Sequence, residues 1–329
     1  MSTGAVRGLV EQLGGAADVA VFRGVPFASL PVRFGAPEAA PSWMGIREAL
    51  SFGPPPPQSG AAGDSGSAAA APDEWLTVNV WSPDLEGRLP VMVWVQGGAY
   101  LFGTSGLPEY DGRVLAGHGV VLVTFNYRVG FEGFGFIEGR PVNRGLLDQM
   151  AALEWVRENI AAFGGDPSRV TVFGQSAGAG SVAALLAMPR AEGLFHRAIA
   201  QSVPGTYFTP TLAADVTRAC ADQLGVQHGG LSEVPPRLLP RAVDAVTARI
   251  GEYAGRWGLA AHARVPLAPV VDGDVLPTSG IRPVAWAHGA DPARRRAHPT
   301  RAAAALGPDR GARSRRAGPG RGDRGRLHS

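Results

Sequence analysis

The chain has 329 residues, of which 45% are hydrophobic, and this is enough for one large α/β domain with a buried core. The single cysteine, Cys220, excludes an internal disulfide framework and a cysteine-based metal cluster, and it argues against a redox role. No apolar run approaches the length of a membrane span and the N-terminus lacks a signal-type apolar core, so we expect a soluble cytoplasmic protein without a membrane partner.

The net positive charge of the chain comes entirely from its C-terminal end. All 31 basic residues are arginines; residues 281–329 contain 12 of them and three acidic residues, a net charge of +9, whereas residues 1–280 carry a net charge of −6. The basicity therefore gives no reason to expect that the main part of the chain binds nucleic acid.

The first part of the chain reads as short strands followed by a linker. Residues 18–37 alternate apolar and polar positions and are interrupted by Gly24, Pro26 and Pro31, which predicts short antiparallel strands. Residues 53–72 (GPPPPQSGAAGDSGSAAAAP) are of low complexity and offer no large apolar side chain, so we expect a mobile loop or linker there.

The next segments predict the centre of a sheet. Residues 76–81 (LTVNVW), 89–96 (LPVMVWVQ) and 120–126 (VVLVTFN) read as strands, and the last two are nearly continuous apolar runs suited to burial on both faces.

Helices alternate with these strands. A short helix is expected over residues 110–118 and a long amphipathic one over 145–163; a GGDP turn at 164–167 and a strand at 197–201 follow. This alternation predicts an α/β fold with a mostly parallel central sheet and helices on both faces.

The sharpest motif is a strand, a turn that carries a serine, and a helix. Residues 170–174 are strand-like, GQSAG fits G-x-S-x-G around Ser176, and residues 177–188 read as a helix that Pro189 ends. The pattern predicts that Ser176 is a nucleophile on a strained turn, with the amide of Ala177 facing an oxyanion. A chance match in a glycine-rich chain is the alternative.

A second glycine-rich turn follows the strand that ends near Gln96. The sequence QGGAY occupies the place of an HGGG-type loop, whose amides face the nucleophile in serine hydrolases. We therefore expect Gly98 and Ala99 to complete the oxyanion hole, the alternative being an ordinary turn after a strand.

The later segments are less diagnostic. Residues 209–258 look helical, like a partial cap or an insertion, and residues 269–277 (PVVDGDVLP) resemble a strand and a turn. Of the 40 residues in 290–329, 30 are Ala, Arg, Gly or Pro, so we expect that segment to be disordered.

Many segments, in order, resemble the type B carboxylesterase family of the α/β-hydrolase fold. They are FRGVPFA at 22–28, LTVNVWSP at 76–83, VQGGAYLFG at 95–103, NYRVG at 126–130, the run from 143 to 181 that contains GQSAGAGS, GLFHRAIAQS at 193–202 and VVDGDVLP at 270–277. The resemblance implies hydrolysis of small-molecule carboxylic esters through an acyl-enzyme on Ser176, without a metal or organic cofactor. It also implies that Asp148, Asp166 and Asp272 are structural.

The chain departs from this family in three places. Gln96 replaces the His, Tyr or Phe that the family has before the oxyanion glycines, and Trp75 stands where a disulfide cysteine is common. The family pattern dissolves after Pro277, before the segments that carry the triad acid and the histidine. The acid and the base therefore stay unassigned.

The seven histidines do not fill the gap. None of them lies in a motif like the family's histidine loop, and the one at 196 matches a position with a structural role; the set is His118, His196, His228, His262, His288, His298 and His328. The resemblance therefore implies that the activity of this polypeptide is weak or absent. A non-catalytic hydrolase-like binding module is the alternative.

We expect two regions, an incomplete hydrolase domain at 1–280 without the C-terminal strands and a tail at 281–329. A shifted reading frame in a GC-rich gene explains the tail's composition, and the competing interpretation is an Arg-rich arm for nucleic acid or membranes. That second interpretation rests on charge alone, because no Phe, Trp or Tyr lies among the arginines of residues 290–329. Loss of later strands also predicts an exposed sheet edge.

Overall fold

A computed structural model describes residues 1, 3–12, 18–58 and 74–278 of the chain. The predicted tail at 281–329, most of the predicted linker at 53–72, and His288, His298 and His328 lie outside the described residues.

A seven-stranded sheet forms the centre of the molecule, with the strand order β11-β10-β8-β9-β7-β3-β2. Its strands are β2 (Leu9–Glu11), β3 (Val19–Pro26), β7 (Thr77–Ser82), β8 (Leu89–Val95), β9 (Val121–Phe125), β10 (Gly165–Gln175) and β11 (Arg197–Gln201). Two small two-stranded sheets flank it, made of β1 (Ala5–Arg7) with β6 (Ile46–Glu48) and β4 (Ala28–Ser29) with β5 (Glu38–Ala39).

Most strands of the sheet point the same way. β9, β8, β10 and β11 pair in parallel, and β7, β3 and β2 are joined by antiparallel pairings, so β3 also runs with the parallel group. The expectation of a mostly parallel sheet is confirmed. The carboxyl ends of β8 and β10 therefore lie at the same edge, where open α/β sheets bind ligands.

Helices cover both faces, as expected. The helices are α1 (Arg113–Ala116), α2 (Gly130–Phe134), α3 (Arg144–Asn159), α4 (Ala177–Ala187), α5 (Pro210–Leu224), α6 (Leu239–Ala248), α7 (Ala254–Trp257) and α8 (Leu259–His262). α3 and α4 bury their apolar sides in the main core with Val93 and Val172 of the sheet. On the opposite face, Ala116 of α1 packs in a smaller core with Trp81 and Leu122.

The sheet is less completely covered than the sequence suggests. β9 is buried along its whole length, but Met92 and Trp94 of β8 are only half-buried. The expectation that β8 is buried on both faces is therefore wrong. Its side chains alternate between the main core and a face that the described helices cover only in part.

Two local expectations hold only in part. Residues 269–277 contain the expected turn, in which the Asp272 carboxylate accepts bonds from two N–H groups at 3.2 and 2.8 Å, but in place of the expected strand they form only an isolated bridge between Val270 and Phe208. At 164–167 the chain turns at Gly164, but β10 already begins at Gly165, and its register with β8 shifts before Val170.

Candidate active site

Ser176 lies where β10 ends and α4 begins. Its backbone is left-handed, with φ 57° and ψ −124°, a conformation that costs a non-glycine residue energy and is held only by the surrounding structure. Two bonds hold it: the Ser176 N–H donates to Gln201 O at 2.9 Å, and its carbonyl accepts from Gly180 N at 2.9 Å. The side chain is exposed at the edge of the sheet.

The glycines of the motif are needed because the strand and the helix pass very close to each other. A Cβ atom on Gly174 would lie 2.7 Å from the carbonyl carbon of Gly178, and one on Gly178 would lie 2.1 Å from Val95 O. These distances leave no space for a side chain. The turn at Ser176 is therefore locked between β8 and α4.

The glycine-rich loop after β8 lies against this turn. A Cβ atom on Gly97 would be 2.8 Å from Gln175 O and 3.5 Å from the Cβ of Ser176. Gly98 has φ +119°, and Ala99 and Tyr100 are left-handed with φ 55° and 64°. Successive residues in unusual conformations let backbone N–H groups converge, as in anion-binding nests.

Three backbone N–H groups near Ser176 are available. Those of Gly98, Ala99 and Ala177 donate no hydrogen bond to any other described residue. Ala177 is the first residue of α4, where the N–H lacks an intrahelical partner and the helix dipole favours negative charge. This arrangement can stabilise an oxyanion beside the Ser176 hydroxyl, and the three roles remain predictions.

The loop is also braced by Gln58, a residue that the sequence did not single out. Its amide oxygen accepts from Gly103 N at 2.7 Å, its amide nitrogen donates to Gly103 O at 3.0 Å, and its side chain is buried. Residues 53–58 contain no helix or strand, as expected for a loop, and the expected mobility stays a prediction. Hydrogen bonds from the Gln58 side chain fix this end of the low-complexity segment against the glycine-rich loop after β8. No sequence pattern predicts these bonds.

Gln96 precedes the loop and is unusual in its surroundings. The side chain is buried, and neither its amide oxygen nor its amide nitrogen has a hydrogen-bond partner among the described residues. Its backbone carbonyl accepts from Tyr127 Oη at 2.7 Å. An unpaired buried amide is costly, so this replacement of the family's aromatic or histidine residue carries a stability penalty.

No described residue is placed as a base for Ser176. Its hydroxyl forms no hydrogen bond with any residue in the ranges described above. Burial raises the pKa of Tyr127 and of Tyr100, so both nearby phenols stay protonated at neutral pH.

Three histidines of the described ranges lie away from Ser176. His196 directly precedes β11, where its Nδ1 accepts from Val170 N at 3.3 Å, next to a cavity of about 120 Å³ at the amino end of the strands. Ser176 is at their carboxyl end. The ring of His118 contacts Val114 O at 2.7 Å on the surface, and His262 is exposed at the end of α8.

The three aspartates that the resemblance implies to be structural all bind neighbouring groups of the protein. Asp148 is fully buried and binds Arg128 through both oxygens, at 2.7 and 2.8 Å. Asp166 accepts from the N–H and the hydroxyl of Ser168, and Asp272 holds the turn before Leu276.

Residues that could bind a metal do not converge in the described part of the chain: no group of three or more His, Cys, Asp or Glu side chains is suitably placed there. None of the helices in that same part is both long and apolar enough to cross a membrane.

Comparison with known sequences gives one consistent result. The profile of the carboxylesterase family matches residues 1–290. The chain is 44% identical over 242 residues to the para-nitrobenzyl esterase of Bacillus subtilis, covering 70% of this chain and 48% of that protein. It is 43% identical over 247 residues to a liver carboxylesterase of Sus scrofa, covering 69% and 43%.

Solved structures agree. A carboxylesterase of Geobacillus stearothermophilus, solved at pH 6.8, matches with a TM-score of 0.69 and 38% identity, covering 84% of this chain and 57% of that one. A para-nitrobenzyl esterase structure matches with a TM-score of 0.71 and 39% identity over the same shares. The chain spans about half the length of the relatives it matches.

Proposed function

Because the chain belongs to the carboxylesterase family, which has the α/β-hydrolase fold, we propose that it acts on carboxylic esters of small molecules with Ser176 as the nucleophile. The observation that carries this proposal is the left-handed Ser176 between β10 and α4, beside three N–H groups that have no other partner among the described residues. No nucleic-acid partner and no metal or organic cofactor is needed for this chemistry, and a cytoplasmic location stays a prediction from the sequence.

The proposed reaction has two halves. Ser176 Oγ attacks the ester carbonyl carbon and loses its proton, while the N–H groups of Gly98, Ala99 and Ala177 bind the oxyanion. The tetrahedral intermediate then expels the alcohol, which takes up a proton, and leaves an acyl-enzyme. Water repeats the attack on the acyl carbon and releases the carboxylic acid and the free Ser176 hydroxyl.

We further propose that this polypeptide catalyses the reaction weakly or not at all. The attack needs a group that accepts the Ser176 proton, and no described histidine or carboxylate is bonded to that hydroxyl. In serine hydrolases, removal of one triad member lowers turnover by up to roughly a millionfold, and the oxyanion donors and substrate binding leave a residual rate.

The test measures hydrolysis of p-nitrophenyl acetate and covalent labelling by a fluorophosphonate, in the full chain and in Ser176→Ala. We expect turnover close to that of the variant and slow labelling that the variant abolishes. Ser181→Ala is the matched control, because Ser181 is buried on the same helix and accepts from Gln149 Nε2 at 3.1 Å. Rapid turnover that depends on Ser176 would show that a base is present and that the weak-activity proposal is wrong.

The unpartnered hydroxyl also favours a second function, a non-catalytic hydrolase-like binding module. In that case the chain binds an ester analogue reversibly and Ser176 is not labelled at all. Labelling that requires Ser176 would exclude this alternative, because only a reactive nucleophile forms the phosphonyl adduct.

A further inference from the structure

Tyr100 lies in the glycine-rich loop after β8, and its side chain is buried between that loop and α4. Its backbone is left-handed, with φ 64°, and its carbonyl accepts from Gly130 N at 2.7 Å. The residue is 2% exposed, and its ring packs against the ring of Phe134, with the two centroids 4.9 Å apart. The hydroxyl has no hydrogen-bond partner among the described residues. In that part of the chain, the phenol therefore acts through its contacts and its size.

The far end of this phenol meets the backbone of α4 at Gly180. A Cβ atom built on Gly180 would lie 2.1 Å from Tyr100 Oη, and the next nearest atoms belong to the ring of Pro204, at the ordinary contact distance of 3.4 Å. Since these are the three nearest atoms, every other atom of Tyr100 lies at least 3.4 Å from that Cβ position. A single atom, the Tyr100 hydroxyl oxygen, therefore excludes a side chain at position 180.

The helix backbone at this point is held more firmly than the phenol. Gly180 N donates to Ser176 O at 2.9 Å, and Tyr207 Oη donates to Gly180 O at 3.5 Å. Both bonds oppose a movement of α4, whereas the Tyr100 hydroxyl has no bond to lose within the described ranges. A methyl group added at position 180 should therefore displace Tyr100, and with it the loop to which Tyr100 belongs.

We propose that Tyr100 is a positioning residue of the oxyanion hole, which fixes the distance between the donors on the loop and the donor on α4. Gly98 and Ala99 precede Tyr100 in the loop, and Ala177 begins the helix against which its hydroxyl rests. The length of the phenol then sets the separation of the two segments. This inference rests on the proposed function of Ser176, and a displacement of about 1 Å in such a site lowers the rate by as much as roughly a hundredfold.

The test is a cycle of four chains: the original, Gly180→Ala, Tyr100→Phe and the double variant. Gly180→Ala must push the hydroxyl about 1.3 Å away to reach an ordinary contact, and it should slow fluorophosphonate labelling of Ser176 by roughly ten- to a hundredfold. In the Tyr100→Phe background the same methyl group meets only contacts of 3.4 Å or more, so it should slow labelling by less than about twofold.

Gly178→Ala is the matched control in the same helix. Its Cβ meets Val95 O at 2.1 Å and Gln96 O at 2.9 Å, and Tyr100→Phe removes neither of these backbone atoms. Tyr100→Phe should therefore not restore the labelling of Gly178→Ala. Equal rescue of both glycine variants would show a general gain in stability in place of a specific contact, and it would overturn the proposal. Far-UV circular dichroism at the assay temperature verifies that each chain is folded.

Hydrogen exchange followed by mass spectrometry reports the position of the loop without using the reactivity of Ser176. Leu101 N and Phe102 N both donate to Gly98 O, at 2.8 and 3.1 Å, so these amides are protected while the loop keeps its conformation. Gly180→Ala should speed their exchange about tenfold, and Tyr100→Phe should reverse this change.

A merely structural role of Tyr100 predicts a different result. In that case Gly180→Ala lowers Tm and leaves both the labelling rate and the exchange of the folded loop unchanged, and this outcome would overturn the proposal. A wild-type chain in which Ser176 is never labelled would instead refute the proposed nucleophile. The exchange rates of the four chains would then decide whether Tyr100 positions the loop.

Discussion

Gly178→Ala should destabilise the protein, although it puts a better helix former into α4. The new Cβ would lie 2.1 Å from Val95 O, whereas ordinary contacts begin at 3.4 Å, so β8 and α4 must separate by about 1.3 Å. Overpacking of this kind costs about 1–3 kcal/mol and can cost more, since the obstacle is backbone and cannot rotate away. The gain in helix propensity offsets about 1 kcal/mol of that. We expect a net loss of up to about 2 kcal/mol.

Gly255→Ala is the control for this experiment. Gly255 is also inside a helix, α7, but nothing lies within 4 Å of a Cβ built on it. That variant should gain up to about 1 kcal/mol, so the two variants should differ by about 1–3 kcal/mol, or roughly 2–12 °C in Tm. Thermal and urea denaturation followed by circular dichroism measure both. If Gly178→Ala were as stable as Gly255→Ala, the close approach of β8 and α4 at Ser176 would be wrong.

Three further predictions concern buried polar groups. Gln96→Met should raise the free energy of unfolding by about 1–3 kcal/mol, because it removes a buried amide that has no partner among the described residues. Urea denaturation measures this change, and a loss of stability would show that the amide has a partner. Asp148→Asn should lower the free energy of unfolding by about 3–5 kcal/mol, because the charge of buried Arg128 loses its partner, whereas Glu252→Gln in an exposed pair should change it little. Burial raises the pKa of Cys220 to about 12, so the thiol should stay protonated at pH 8 and react with Ellman's reagent only on unfolding; fast reaction in the native protein would refute this burial.

Sequence periodicity predicted several strands and helices at the positions where the structure has them. Residues 120–126 were expected to form a strand buried on both faces, and β9 is buried throughout. The strand at 197–201 and the helix after Ser176 also appear where they were expected. In each case the local pattern and the tertiary environment favour the same structure, so the sequence alone is sufficient.

The failures occur where single hydrogen bonds decide the structure. Gln58 lies in a segment whose composition indicates a loop, yet two bonds to Gly103 fix it against the oxyanion loop. Asp272 accepts bonds from two N–H groups and closes the predicted turn, and the strand predicted before it is reduced to one bridge at Val270. Side-chain to backbone bonds of this kind compete with regular structure, and periodicity does not register them.

The parts of the candidate site differ in what each requires of the chain. The proposed oxyanion binding uses backbone N–H groups, which do not titrate at neutral pH and whose directions follow from the fixed conformations of Gly98, Ala99 and Ser176. Two strands, one helix and the glycines between them place these groups, and Gly98 and Ala177 lie 79 residues apart in the sequence. Proton transfer instead needs a side chain with a suitable pKa that reaches Ser176 Oγ from a separate element. The two requirements can be measured separately at Ser176: labelling by a fluorophosphonate reports the proposed nucleophile and its oxyanion donors, and ester turnover reports the base that proton transfer needs.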